Sequence, residues 1–183
     1  MTTAITFRVW FFAPLTSAAA LGRDGIDIAL HADPIGGDGI KGAMRRAGAR
    51  IVPEDLWRLT FGEPEHPAPW HWSGLLPETE WEPSDRHRVQ IDPRTGAAET
   101  DQLVRAEYVW PTSATFMVTP TGSAQMCERT RPALVASARA VTALGAWSAR
   151  AYGWVRVVPL DDVGNERQIT DQELDLIWEW VRS

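Results

Sequence analysis

Glycine and proline interrupt this 183-residue chain at 27 positions, 14 and 13 respectively, so it can fold only as a series of short elements. Residues 5–12 are apolar and aromatic enough for a first strand, and residues 13–25 read as loop. A short strand over 26–31 ends at Asp33-Pro34, and Gly36-Gly37-Asp38-Gly39 makes a turn. A helix over 40–51 follows, with Lys41, Arg45 and Arg46 in its first half, and Pro53 stops it. The pattern next predicts a short helix at 55–61, a loop at 62–69, a strand at 70–76 and strands at 104–109 and 115–119. Alanine-rich 131–147 predicts a second long helix, and 154–159 alternates as a last strand. The order β, helix, several β, helix, β predicts an α+β fold. It is the ferredoxin-like, RRM-like kind, with helices on one face of an antiparallel sheet.

Two segments fall outside that body. Residues 78–103 are polar, hold Pro83, Pro93 and Gly96, and offer few core candidates, which is the composition of an excursion. Beyond residue 160 the chain turns acidic. Thr170 and Glu173 form a capping box ahead of a helix at about 170–182, where Leu174, Ile177, Trp178 and Val181 make one apolar face. The expected division is a domain over 1–160 and a C-terminal extension over 161–183.

The net charge of -6 argues at first against a nucleic-acid partner. Its distribution weakens the objection, because seven acids but only Arg167 and Arg182 follow residue 160, leaving 17 acids against 16 basic residues before it. Lys41 is the only lysine. A single cysteine, Cys127, makes no internal disulfide, and no long uncharged apolar run suits a membrane span; a reducing cytoplasm is expected. Residues 9–12 followed by Ser17-Ala18-Ala19-Ala20 imitate a secretory leader removed after about residue 20, but the only nearby cation, Arg8, lies beside the apolar run and Pro14 interrupts it.

Of the ten tryptophans, Trp10, Trp57, Trp147 and Trp154 fall on expected elements and read as core, whereas Trp70, Trp72 and Trp81 flank proline-rich loop and read as interface anchors. His66, His71 and Cys127 match no common zinc spacing. Gly37, Gly39 and Gly42 satisfy the dinucleotide pattern GxGxxG, with Glu54 and Asp55 beyond it. A soluble nicotinamide-dependent oxidoreductase is therefore an alternative of another class. Against it, Pro34 separates strand from glycines and no parallel crossover follows. The physics of the segment stands without a nucleotide: glycines admit close backbone approach, and a helix start followed by Lys41, Arg45 and Arg46 suits an anion.

Four blocks in order resemble the RAMP superfamily of CRISPR-associated proteins, in particular the backbone subunits of type III effector complexes. Residues 37–45 resemble its helix start, with Asp38 and Gly39 where the family has two serines. Residues 56–62 and Trp72-Ser73-Gly74 are similar to its next stretches. Residues 86–98, with Ile91-Asp92-Pro93-Arg94-Thr95-Gly96, followed by Glu107 and Phe116, are similar to its central segment. Residues 144–153 resemble its glycine-rich loop, with fewer glycines. The likeness covers residues 4–158.

The resemblance implies a guide-RNA-binding subunit that assembles with other effector subunits and copies of itself, pairs the guide with a complementary target RNA, and has no membrane partner. Its RNA-binding residues would be Gly37, Gly39, Lys41, Arg45, Arg46, Arg86, Arg88, Arg94, Arg150 and Tyr152. The excursion would be a thumb-like hairpin that wedges into the duplex. Subunits of the family that cleave target RNA carry an aspartate after the first strand. Asp27 stands in the matching place, with Asp24 a competitor, and would act as a metal-dependent endoribonuclease residue with Mg or Mn. In subunits that only bind, the same residue caps a loop, and that reading stays open.

Overall fold

The computed structural model describes residues 3–16, 25–30, 35–148 and 151–182. Its elements run β1 (Ile5–Phe11), α1 (Gly37–Gly48), α2 (Glu54–Phe61), β2 (Trp70–Trp72), β3 (Leu76–Pro77), β4 (Ser84–Ile91), β5 (Ala98–Tyr108), β6 (Ser113–Pro120), α3 (Ala124–Arg139), β7 (Val155–Pro159) and α4 (Asp171–Arg182). The main sheet has the order β2-β6-β1-β7, with β3 also on β6, and every pairing is antiparallel.

β1 alternates buried and half-buried residues along its length, as a strand covered on one face must. Ile5, Phe7, Val9 and Phe11 point into the core, where Phe7 stacks on Phe116 of β6 at 5.0 Å between ring centroids. Ile40 and Met44 of α1 and Leu134 and Ala138 of α3 close that core from the helical side. This is the expected α+β arrangement. The chain has no parallel crossover among the described strands, so its glycine turn does not lie in a dinucleotide-binding βαβ unit. Residues 5–11, which overlap the leader-like stretch, form the strand between β6 and β7.

Three expectations shift. The segment at 26–31 does not become a regular strand; residues 27 and 28 instead lie along the free edge of β5, with Asp27 and Ile28 N–H groups donating to the Arg105 carbonyl at 2.9 and 3.2 Å. The second long helix covers 124–139 rather than 131–147. Ser123 caps it, its Oγ accepting from the Met126 N–H at 3.3 Å, and the helix runs through Pro132. Alanine propensity beyond Arg139 loses to tertiary pairing. The Thr142 carbonyl accepts from the Val155 N–H at 3.0 Å and Ala143 bridges Trp154, which draws 142–143 onto the edge of β7. The tryptophans shift too: Trp70 and Trp72 are core residues at 3% and 6% exposure, because both point inward from β2 with His71 outward between them, while Trp57 packs on the core as expected and Trp154 is exposed.

α4 forms with the expected capping box, the Thr170 N–H donating to Glu173 at 3.0 Å and the Glu173 N–H to Thr170 Oγ1 at 3.3 Å. It lies against α3 through Leu176, Ile177 and Trp180, while Leu174, Trp178 and Val181 remain outward. No helix is long and apolar enough to cross a membrane among the described residues.

Candidate nucleic-acid interface

The polar excursion is a two-stranded hairpin of β4 and β5, separate from the main sheet. Its tip explains the Ile-Asp-x-x-Thr-Gly segment physically. Asp92 accepts from the Arg94 N–H at 2.8 Å and the Thr95 hydroxyl at 2.9 Å, and Gly96 takes φ +69° to bring its own N–H onto the Asp92 carbonyl at 2.8 Å. The Arg94 N–H, followed by the Thr95 hydroxyl, holds the Asp92 carboxyl below its ordinary value.

Register sorts the hairpin's charges onto two faces. Arg86 and Arg88 stand opposite Ala106 and Val104, and Asp85 and His87 stand opposite Glu107 and Arg105 on the reverse. On the first face Arg86 lies 5.7 Å over the Tyr108 ring, and Arg88 lies 4.5 Å over Trp147 and 5.8 Å over Tyr152. Trp147 and Tyr152 meet edge to face at 5.6 Å. The loop that presents them adopts φ +59° at Trp147 and +63° at Ala151, left-handed values that non-glycine residues seldom take. Among the described residues, one guanidinium nitrogen of Arg88, NH1, is buried and has no hydrogen-bond partner. The rings hold the guanidinium in place, so an anion at its exposed part meets donors already oriented.

On the reverse face the Arg105 Nε donates to Asp85 at 2.6 Å, and that bond holds the Asp85 carboxyl down and raises Arg105. Asp27 is exposed beside this pair, its Oδ2 accepting from the Arg105 N–H at 2.7 Å. The divalent cation expected at Asp27 can be tested on the donor set. One Asp27 oxygen is committed to backbone, and among the described residues no group of three His, Cys, Asp or Glu side chains could hold a metal ion. Among the described residues, then, no protein-held cation site forms at Asp27, and no step is routed through one. Asp24 and Arg150 lie outside the described residues.

At α1 the structure separates the expected residues by role. A Cβ on Gly37 would overlap the Trp72 carbonyl, so this glycine lets the helix start approach β2. Gly39 is exposed. Asp38, in the first turn, places its own negative charge at the positive end of the helix. Lys41 lies 5.2 Å over Trp72 and Arg45 lies 4.6 Å over Trp57, whose Nε1 donates back to the Arg45 carbonyl at 2.8 Å. Arg46 is exposed on the other flank beside Arg50.

Arg88 and Tyr152 are therefore brought together, whereas Lys41 and Arg45 form a separate basic cluster. Tyr152 is 6% exposed, a support for Arg88. Sequence reasoning missed Trp147 as the platform under Arg88 and placed it in the core. The left-handed backbone that turns it outward follows Gly145, and that glycine was the available signal.

No family model matches the chain, and no curated protein matches it. Solved structures do. A chain of the cryo-EM structure of Type III-B Cmr-beta in the apo state superposes with a TM-score of 0.72 at 13% identity, over 88% of this chain and 98% of that one. A chain of Type III-B Cmr-beta bound to cognate target RNA gives 0.72 at 12%, over 86% and 97%. The chain shares the fold of those two chains. At such identity the likeness is one of fold, and it agrees with the RAMP resemblance carried by the motifs.

Proposed function

We propose that the chain is an RNA-binding subunit of a type III CRISPR effector, holding a guide RNA and its complementary target and assembling with other effector subunits and with copies of itself. The observation that carries this reading is Arg88, a half-buried guanidinium stacked on Trp147 and Tyr152 midway along the hairpin, with Arg86 nearer its base and Arg94 at the tip. Such a row suits a phosphate backbone, read by charge and shape while base pairing supplies specificity. The RNA-bound state of one structure that shares this fold supports the same reading. Arg86→Ala with Arg88→Ala should weaken binding of a guide-target RNA duplex at least tenfold, measured by anisotropy; binding equal to wild type sinks the reading.

Cleavage is the finer part of the proposal. An exposed carboxylate fixed to the edge of β5 can take the proton of a 2'-hydroxyl as that oxygen attacks the adjacent phosphate to form a 2',3'-cyclic phosphate, while the 5'-oxygen leaves with a proton from water as a 5'-hydroxyl. Asp27→Ala should abolish cleavage of guide-paired RNA by the assembled complex while binding persists, and Asp24→Ala should do much less. Absence of cleavage in the wild type leaves a subunit that binds only.

A further inference from the structure

Breaking RNA beside its own 2'-hydroxyl takes two proton movements, one off the attacking oxygen and one onto the departing oxygen, and charge builds on the phosphate between them. Asp27 meets only the first need. The reverse face of the hairpin holds groups for the other two, set in one row across three adjacent backbones. Ile28 bridges Ala106 in parallel, so Asp27, one residue earlier, lies on the opposite face, the face of Arg105. His87 of β4 stands directly opposite Arg105 on that same face. Arg105 is therefore central, with Asp27 on one flank and His87 on the other, and the two flanking backbones lie about 10 Å apart, twice the strand spacing. Side chains reaching in from both flanks can close on one phosphate from opposite sides, as an in-line displacement requires.

The row is held rather than loose. Asp27 Oδ2 accepts from the Arg105 N–H at 2.7 Å, and Arg105 Nε donates to Asp85 at 2.6 Å, which fixes the guanidinium by one nitrogen and keeps its two terminal nitrogens as donors for an anion. His87 is exposed, and it lies near enough to Asp85 that its charge helps to hold that carboxyl down, behind the Arg105 hydrogen bond. The remaining acid of this face, Glu107, is buried and accepts from the Leu30 N–H at 2.8 Å. We propose that His87 donates the proton taken by the leaving 5'-oxygen, while Arg105 holds the scissile phosphate between His87 and Asp27. The bond from the 2'-oxygen to phosphorus forms as the bond from phosphorus to the 5'-oxygen breaks. Asp27 takes the 2'-hydroxyl proton, the His87 imidazolium gives its proton to the 5'-oxygen in place of water, and solvent returns both groups to their starting states. The products are a 2',3'-cyclic phosphate and a 5'-hydroxyl. Histidine suits the task because an imidazole both carries a proton and releases it near neutral pH. A hairpin wedged into a duplex, as the resemblance implies, has RNA on both faces, so grip at Arg86 and Arg88 does not compete with chemistry on the reverse. This role rests on the cleavage reading above and deepens it.

The test uses the assembled complex and two guide-paired target RNAs that differ at the scissile bond, one an ordinary phosphodiester and one with sulfur in place of the bridging 5'-oxygen. A thiolate departs without a proton, so the second target needs no acid. His87→Ala should slow cleavage of the ordinary target by on the order of 100-fold and cut the sulfur target at a rate close to wild type. His87→Gln, which keeps bulk and a hydrogen bond but has no proton to give, should behave the same way. Asp27→Ala and Arg105→Ala should slow both targets, the latter because it removes the cation at the phosphate while keeping the backbone N–H that fixes Asp27. Thermal melts and duplex anisotropy should show the His87 variants folded and bound. Equal losses on the two targets in the His87 variants, or no loss on either, overturn His87 as the acid, and if Asp27→Ala still abolishes cleavage the reading at Asp27 stands. Absence of cleavage in the wild type, or undiminished cleavage in Asp27→Ala, overturns both.

Discussion

Gly37 and Gly39 lie two residues apart in one turn, yet a methyl group has different consequences at each. At Gly37 it would collide with the Trp72 backbone carbonyl, which cannot retreat without dragging β2. At Gly39 it would meet the Ile35 Cγ2 at 3.1 Å, the end of a side chain that can give. Gly37→Ala should cost about 1–3 kcal/mol in urea unfolding and Gly39→Ala well under about 1 kcal/mol. If Gly39→Ala instead lowers RNA affinity at unchanged stability, the helix start is itself an anion contact. The sequence made both glycines look alike because the pattern GxGxxG is defined by spacing. What separates them is the backbone of a strand some thirty-five residues further on, and no local pattern carries that.

The elements were legible where local chemistry governs them and illegible where a remote partner does. β1, α1, α2, β7 and the capping box of α4 follow from periodicity, turns and caps. α3 does not: Ser123 began it earlier and the edge of β7 ended it sooner than alanine content suggested. The expected apolar face of α4 holds at one residue of four, since Ile177 docks on α3 but Leu174, Trp178 and Val181 do not. Its first turn has a titratable clasp. Burial opposes ionisation of Glu173, but the Thr170 N–H and Arg167, 2.5 Å away, together hold its pKa below the ordinary value. A carboxyl depressed in the folded state contributes stability above its unfolded pKa of about 4.3, and that contribution is lost as the pH falls through the folded value. Acidification below about pH 4 should therefore loosen α4 before the core melts, seen as faster amide exchange over 171–182. Glu173→Gln should show loosened exchange already at about pH 7 and remove most of the acid-dependent step.

For the whole molecule the core and the interface should fail separately. Phe7 is fully buried against Phe116, so Phe7→Ala should cost about 3–5 kcal/mol and shift every probe of unfolding together. Arg88→Ala should leave the main-sheet core intact yet reduce the slope of log affinity against log salt by about 1, as expected when one fewer phosphate is neutralised. The acidic pI of 5.2 does not contradict a steep salt dependence, because the arginine row and the acidic extension occupy different segments.

The hairpin gives this small protein a long reach. Its first half lies against the body, where Ala106 is 2% exposed and Arg88 rests on Trp147 and Tyr152, and the remainder of β4 runs on roughly 10 Å past that contact before the turn. Its tip can therefore touch a polymer, or the next molecule along that polymer, well beyond the ground covered by its own core. Spacing between successive copies would then be governed by arm length rather than by the girth of the domain. Shortening the hairpin by matched pairs of residues should change the stride of the assembly in whole steps while each subunit stays as stable as before.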